Sequence, residues 1–155
     1  MLSSSSRNFV LLMLALGAGL LGYRQLAAGP AHYVLAVSWQ PAFCEGRSRL
    51  PECRSQTSQR FDASHFTLHG LWPQPRSKAY CGVSENDIRT DKKRRWHDLP
   101  WDRLDQTTWR RLQQVMPGTR YGLHKHEWVK HGTCYDGADA DEYFSDSLHL
   151  IDKLN

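Results

Sequence analysis

No two of the four cysteines stand in a C-x-x-C spacing, so the usual tetrahedral zinc knuckle is missing. No apolar run reaches the roughly 20 residues of a membrane-spanning helix. The longest is Phe9–Leu21. No internal repeat is visible. Neither sign of charge dominates: 20 Lys+Arg against 16 Asp+Glu leave a formal +4. Such an excess fits a polyanionic partner and equally an ordinary basic protein. What is present is a hydrophobic fraction of 40%, enough for one core in 155 residues and enough to exclude disorder throughout. Eight histidines add positive charge as pH falls, and six tryptophans are many for this length.

Arg7 precedes the apolar run, and Leu26-Ala27-Ala28 follows it with small residues. This is the order of a secretory signal, with cleavage expected after Ala28. Tyr23 and Arg24 flank the run as they would flank a retained membrane anchor. The chain thus divides into a leader or anchor at residues 1–28 and a domain at residues 29–155. Either way the domain faces an oxidising space, and a secreted or periplasmic location is expected. There, an even number of cysteines suggests disulfides. Cys44, Cys53, Cys81 and Cys134 allow three pairings, and spacing alone does not choose among them. The short Cys44–Cys53 separation suits a local staple.

Tyr33–Trp39 is rich in β-branched and aromatic residues and reads as a strand ended by Pro41. Residues 44–60 read as loop. Phe66–Leu71 reads as a second strand, stopped by Gly70 and Pro73, with His69 near its end. Lys92-Lys93-Arg94-Arg95 reads as a solvated loop, with contact to nucleic-acid phosphates as the sharper alternative. Residues 105–116 place Trp109, Leu112, Val115 and Met116 at helical spacing after an Asp105 cap. Residues 139–154 repeat the pattern with Tyr143, Phe144, Leu148, Ile151 and Leu154.

The most informative segment is Leu123–Cys134, LHKHEWVKHGTC, between Gly122 and Gly132. At about 100° per residue, with His126 at zero, Lys130 falls near 40°, Glu127 near 100° and His131 near 140°. Four titratable side chains thus share one helix face, and Trp128 and Val129 fall opposite. A zinc-protease HExxH site needs its histidines one turn apart. Here they stand five positions apart with Lys130 between them, so no metal is expected. A surface ion-pair lattice would use Glu127 and His131 but leaves the grouping of four different functional groups unexplained. No Ser or Cys nucleophile accompanies them. Phosphodiester transesterification in RNA needs none, because the 2′-hydroxyl attacks. The enzyme supplies a base, an acid and cations beside the phosphate, which histidine and lysine can provide.

Phe66–Pro73 (FTLHGLWP) and His126–Cys134 (HEWVKHGTC) resemble the two active-site segments of the secreted acid ribonucleases of the T2 family, and Val34–Cys44 resembles that family's opening strand. The likeness runs from about Tyr33 to Asn155. It implies an α+β fold, a central antiparallel sheet packed with helices, with the active site in a cleft between a strand end and a helix. It implies a metal-independent endoribonuclease without cofactor, acting on RNA as a monomer and leaving 2′,3′-cyclic and then 3′-phosphate ends. It casts His69 as general acid, His131 as general base, His126 as a phosphate ligand, Glu127 and Lys130 as transition-state supports, and Trp72 as a base-stacking aromatic. It pairs Cys81 with Cys134, leaving Cys44 with Cys53. Members of that family generally continue past the final helix, so part of the sheet is expected to be missing from this chain. Competing readings are a non-catalytic RNA-binding relative, a membrane-anchored envelope protein and a metalloenzyme. His32, His65, His97 and His149 are expected at the surface, and His124 off the reactive face.

Overall fold

The computed structural model describes residues 32–136 and 139–155; the expected leader at residues 1–28 lies outside them. In chain order the elements are β1 (Tyr33–Trp39), α1 (Gln40–Cys44), α2 (Pro51–Arg54), β2 (Phe66–Pro73), α3 (Glu85–Lys92), α4 (Gln106–Val115), α5 (Leu123–Lys130) and α6 (Ala140–Leu154), with short 3-10 turns between several of them. The fold is α+β: an antiparallel pair of strands packed against six helices.

The first strand ends where expected. Pro41 occupies the first turn of α1, where its missing N–H costs nothing. The second strand does not stop at Gly70 but runs on to Pro73. The pairing explains how. Ala36 faces Gly70 and the next residue, Val37, faces Leu68. His69 is therefore the extra residue of a β-bulge, four positions into an eight-residue strand rather than near its end. The bulge interrupts the alternation of faces, so Thr67 and Leu68 are buried on one side of it and Gly70 and Leu71 on the other.

Leu68 and Leu71 meet Leu112, Val115 and Met116 from the α4 region and Tyr143, Phe144, Leu148 and Ile151 from α6 in one buried cluster. Both helices begin on aspartate caps: Asp105 accepts from the Thr107 amide at 2.7 Å and Asp139 from the Glu142 amide at 2.9 Å. Tyr143 also ties α6 to the strand. Its hydroxyl accepts from the Leu71 amide at 3.1 Å and donates to the Leu71 carbonyl at 3.0 Å. Leu154 departs from the expected apolar face: it is half exposed at the helix end. There Asn155 turns back to bond both backbone groups of Phe66.

Two other expectations are corrected. The presumed loop at residues 44–60 contains α2, and a disulfide joins Cys44 to Cys53 across it. The basic run is not wholly loop: Lys92 is the last residue of α3, whose start is capped by the Ser84 hydroxyl accepting from the Asp87 amide. A second disulfide, Cys81–Cys134, joins the segment after β2 to the turn after α5. No helix among the described residues is long and apolar enough to cross a membrane.

Candidate active site

Three pieces of chain build the site. The bulge on β2 supplies His69, and Trp72 follows on the same strand. Helix α5 supplies His126, Glu127 and Lys130, and its C-cap is His131. Gly122 starts that helix in the left-handed region (φ 80°) against Trp96, where a Cβ would lie 3.0 Å from the Trp96 Cβ and 3.1 Å from its carbonyl carbon. Glycine thus permits α5 to begin in close contact with the turn that carries Trp96.

Glu127 is the hub. It is fully buried, on a helix face pressed against β2. One oxygen, Oε2, accepts from the Trp72 indole N–H at 2.9 Å. The other, Oε1, has no hydrogen-bond partner among the described residues, although His69 Nε2 lies 3.4 Å away and His126 Nε2 3.8 Å away. Gly70 makes this approach possible. A Cβ there would fall 1.9 Å from Glu127 Oε2, so any side chain would drive the carboxyl out. Burial pushes the Glu127 carboxyl up to about 8, against the opposing effects of the Trp72 hydrogen bond and the Lys130 charge.

The histidines shift the other way. Burial, with Lys130, His126 and His69 nearby, lowers His131 to about 4. Burial lowers His69 as well, helped by the charges of His126 and Lys130. Trp72 lies between the two: its ring stacks on His131 at 5.5 Å and meets His69 edge-on at 5.8 Å. This tryptophan, expected as a base platform, is thus already engaged with Glu127 and both histidines.

The site opens into a cleft of about 720 Å³ whose wall includes His69, His126 and Lys130. Lys92 and Arg94 of the basic run stand on the same wall, together with Tyr80, Asp91 and Trp96. Sequence reasoning missed these last three. Asp91 is buried and bonded to His126. Its only sequence signal is the capped start of α3 at Ser84-x-x-Asp87, which would have placed a helix there. His124 lies off the cleft, as expected. Among the described residues no group of three His, Cys, Asp or Glu side chains is arranged to hold a metal ion.

A strand histidine and a helix C-cap histidine thus stand with a buried carboxyl and a lysine, groups whose chemistry allows proton transfer beside an anion. The family model of the ribonuclease T2 family matches residues 31–155, and the chain belongs to that family. It is 36% identical to Ribonuclease I of Escherichia coli (strain K12), over 79% of this chain and 53% of that protein. It is 29% identical to Ribonuclease S-2 of Nicotiana alata, over 78% of this chain and 51% of the relative. Against Ribonuclease 1 of Arabidopsis thaliana the identity is 28%, over 79% and 50%. The chain spans about half the length of these curated relatives.

Proposed function

We propose that the protein is an endoribonuclease cleaving single-stranded RNA by attack of the 2′-hydroxyl on the adjacent phosphate. The observation that carries this reading is the meeting of His69 and His126 around the free oxygen of the buried Glu127 carboxyl, with His131 stacked on the tryptophan that holds that carboxyl. His131, which burial lowers to about 4, suits the base. It takes the 2′-hydroxyl proton as that oxygen bonds to phosphorus. His69 gives a proton to the departing 5′-oxygen, and a 2′,3′-cyclic phosphate results. Water then opens the ring with the proton transfers reversed, leaving a 3′-phosphate. Glu127 shares its proton with a non-bridging oxygen, while Lys130 and His126 offset the charge gathering there. Trp72 keeps Glu127 and the two histidines in register, with any contact to a base made by its remaining exposed surface.

No step needs a metal or cofactor. The protein works alone, in a secreted or periplasmic setting where its two disulfides persist. The test is cleavage of single-stranded RNA in excess EDTA, followed by comparison of His69→Ala and His131→Ala on a substrate with a nitrophenolate leaving group. Such a group needs little protonation. Cleavage is expected to persist in chelator, and the good leaving group to rescue His69→Ala but not His131→Ala. Rescue of the other variant would exchange the two roles. RNA binding without cleavage, or cleavage lost to EDTA and restored by a metal, would overturn the reading.

A further inference from the structure

His126 has a support that the mechanism above does not use. Asp91, buried in the last turn of α3, places Oδ1 2.6 Å from His126 Nδ1. Its second oxygen accepts from the Tyr80 hydroxyl at 2.7 Å. Burial pushes this carboxyl up, but hydrogen bonds from His126 and Tyr80 outweigh it and hold Asp91 below the usual range. An ionised carboxylate only accepts, so the hydrogen between Asp91 and His126 belongs to Nδ1. Nε2 then faces the opposite way, toward Glu127 and the cleft.

One further contact restricts the ring, and another set fixes its support. Trp96 stacks on it at 4.8 Å with an interplanar angle of 24°. Tyr80 is itself fixed: its amide donates to the Lys130 carbonyl at 2.9 Å, its backbone is in the left-handed region (φ 57°), and its neighbour Cys81 is bridged to Cys134. The disulfide therefore holds Tyr80 against the end of α5, Tyr80 holds Asp91, and Asp91 holds His126.

We propose that Asp91, oriented by Tyr80, is a positioning residue that fixes His126 with Nδ1–H toward α3 and Nε2 toward the scissile phosphate. This rests on the ribonuclease reading for its kinetic consequence, but not for its geometry. With Nε2 aimed into the cleft, that nitrogen is the one that meets a non-bridging oxygen. Without Asp91 the ring is free to turn about its χ2 torsion, and Nδ1 and Nε2 compete for the phosphate. For metal-binding histidines, support by a carboxylate behind the ring is typically worth about 10–100-fold when removed, and a loss of that order is expected here.

The experiment is a double-mutant cycle combined with imidazole ¹⁵N spectroscopy on the full chain. Asp91→Ala is expected to lower kcat/KM by about 10–100-fold in the otherwise native protein and by less than about 2-fold in His126→Ala, because its effect passes through that ring. Asp91→Asn keeps an acceptor oxygen and is expected to recover part of the loss; Tyr80→Phe is expected to cost less than Asp91→Ala. In the native protein the ¹⁵N spectrum is expected to show Nδ1 of His126 protonated. An equal loss from Asp91→Ala in both backgrounds would mean that Asp91 only packs α3 against α5, and would overturn the proposal. So would a His126 ring carrying its single proton on Nε2. Should the native chain cleave no RNA, the ribonuclease reading falls, and the ¹⁵N spectra of the native protein and Asp91→Asn decide the position of the ring by themselves.

Discussion

His124 and His126 stand two positions apart on α5 and meet opposite fates. His126 looks into the cleft, held by Asp91 and stacked on Trp96. His124 is buried on the other side, with the Trp101 ring edge-on at 4.5 Å and Trp109 at 5.0 Å. Its Nδ1 has no hydrogen-bond partner among the described residues. Burial, with Lys125 and His97 nearby, lowers it to about 4. The same side chain is thus a packing element on one face and, in the function proposed, a phosphate ligand on the other. The difference is made by what each face meets: two tryptophans in one case, a carboxylate and an open cleft in the other.

The largest effects are expected at the two histidines cast as acid and base. His69→Ala and His131→Ala should each lower kcat/KM by about 10²–10⁴-fold while the melting temperature changes little, since acid–base groups contribute about that much to rate. His124→Ala should do the reverse, lowering the melting temperature by opening a void among the tryptophans and sparing kcat/KM in the folded fraction. Activity and thermal melts of the three variants check this. Comparable rate losses in all three would erase the distinction between the faces.

Gly70→Ala tests how tightly the cleft side is built. Its Cβ would meet Glu127 Oε2 at 1.9 Å, so the carboxyl must move and lose Trp72. Overpacking of this kind typically costs about 1–3 kcal/mol. Activity should fall with it by at least about tenfold, the kinetic equivalent of about 1.4 kcal/mol. Full activity in Gly70→Ala would show that Glu127 need not stay where it is.

Glu127→Gln separates stability from function at the hub. A carboxyl held up to about 8 in the folded state contributes stability below its unfolded value of 4.5 and loses it as pH rises through 8. The amide has nothing to lose in that window. Glu127→Gln should therefore be more stable than the native protein at pH 7–8, by about 1–3 kcal/mol, and close to it at pH 4. Its activity should fall, because the shared proton is gone. Denaturant melts at the two pH values check the sign; equal differences at both would mean that Glu127 is ionised in the fold.

The two strands and the aspartate-capped helices α4 and α6 were legible because period and capping agree in them. Tyr33–Trp39 matches its predicted bounds, and Asp105 and Asp139 cap the helices they begin. The grouping of His126, Glu127, Lys130 and His131 was also visible, since helical spacing alone brings these side chains together. The bulge at His69 was not. It depends on a register between strands some thirty residues apart, and Gly70 reads locally as a stop although it is a clearance for Glu127. Helix α3 escaped because it has no apolar stripe to show a period; its value to the site lies in one buried aspartate and a basic end. The split between His124 and His126 was only half legible. His124 was expected to point elsewhere on the helix, but spacing alone sets it within about 20° of His131, and the tryptophans that enclose it come from separate parts of the chain.

His124→Phe should fill the space among the tryptophans without the unpartnered nitrogen. A histidine lowered to about 4 keeps its full contribution above its unfolded value of 6.5 and loses it as pH falls toward 4. The variant should lack that acid loss, so its advantage over the native protein should grow by about 1–3 kcal/mol from pH 7 to pH 4. Turnover should be unchanged at either pH. A stability difference independent of pH would mean that His124 is free to protonate in the fold.

The smallest effect is expected at the basic end of α3, where the cleft side of α5 meets Lys92 and Arg94. Both are exposed and both line the wall that carries His126 and Lys130. Their neighbours Lys93 and Arg95 are equally exposed but stand off that wall, and Arg95 lies 3.8 Å from Asp98. If the run merely raised the general potential, all four charges would count alike. If the cleft guides the RNA backbone, only the two on its wall release counterions when the strand binds. For a single strand each such contact contributes about 0.7 to the slope of log K against log salt, so Lys92→Ala with Arg94→Ala should reduce the slope by about 1.4. The loss should appear in KM at low salt, fade as salt rises, and leave kcat near its native value, because neither side chain touches the reacting atoms. Lys93→Ala with Arg95→Ala should leave the slope within about 0.3 of native, the residue of long-range potential that salt screens within about 10 Å. Equal slopes for the two double variants would return the whole run to the role of a solvated surface charge.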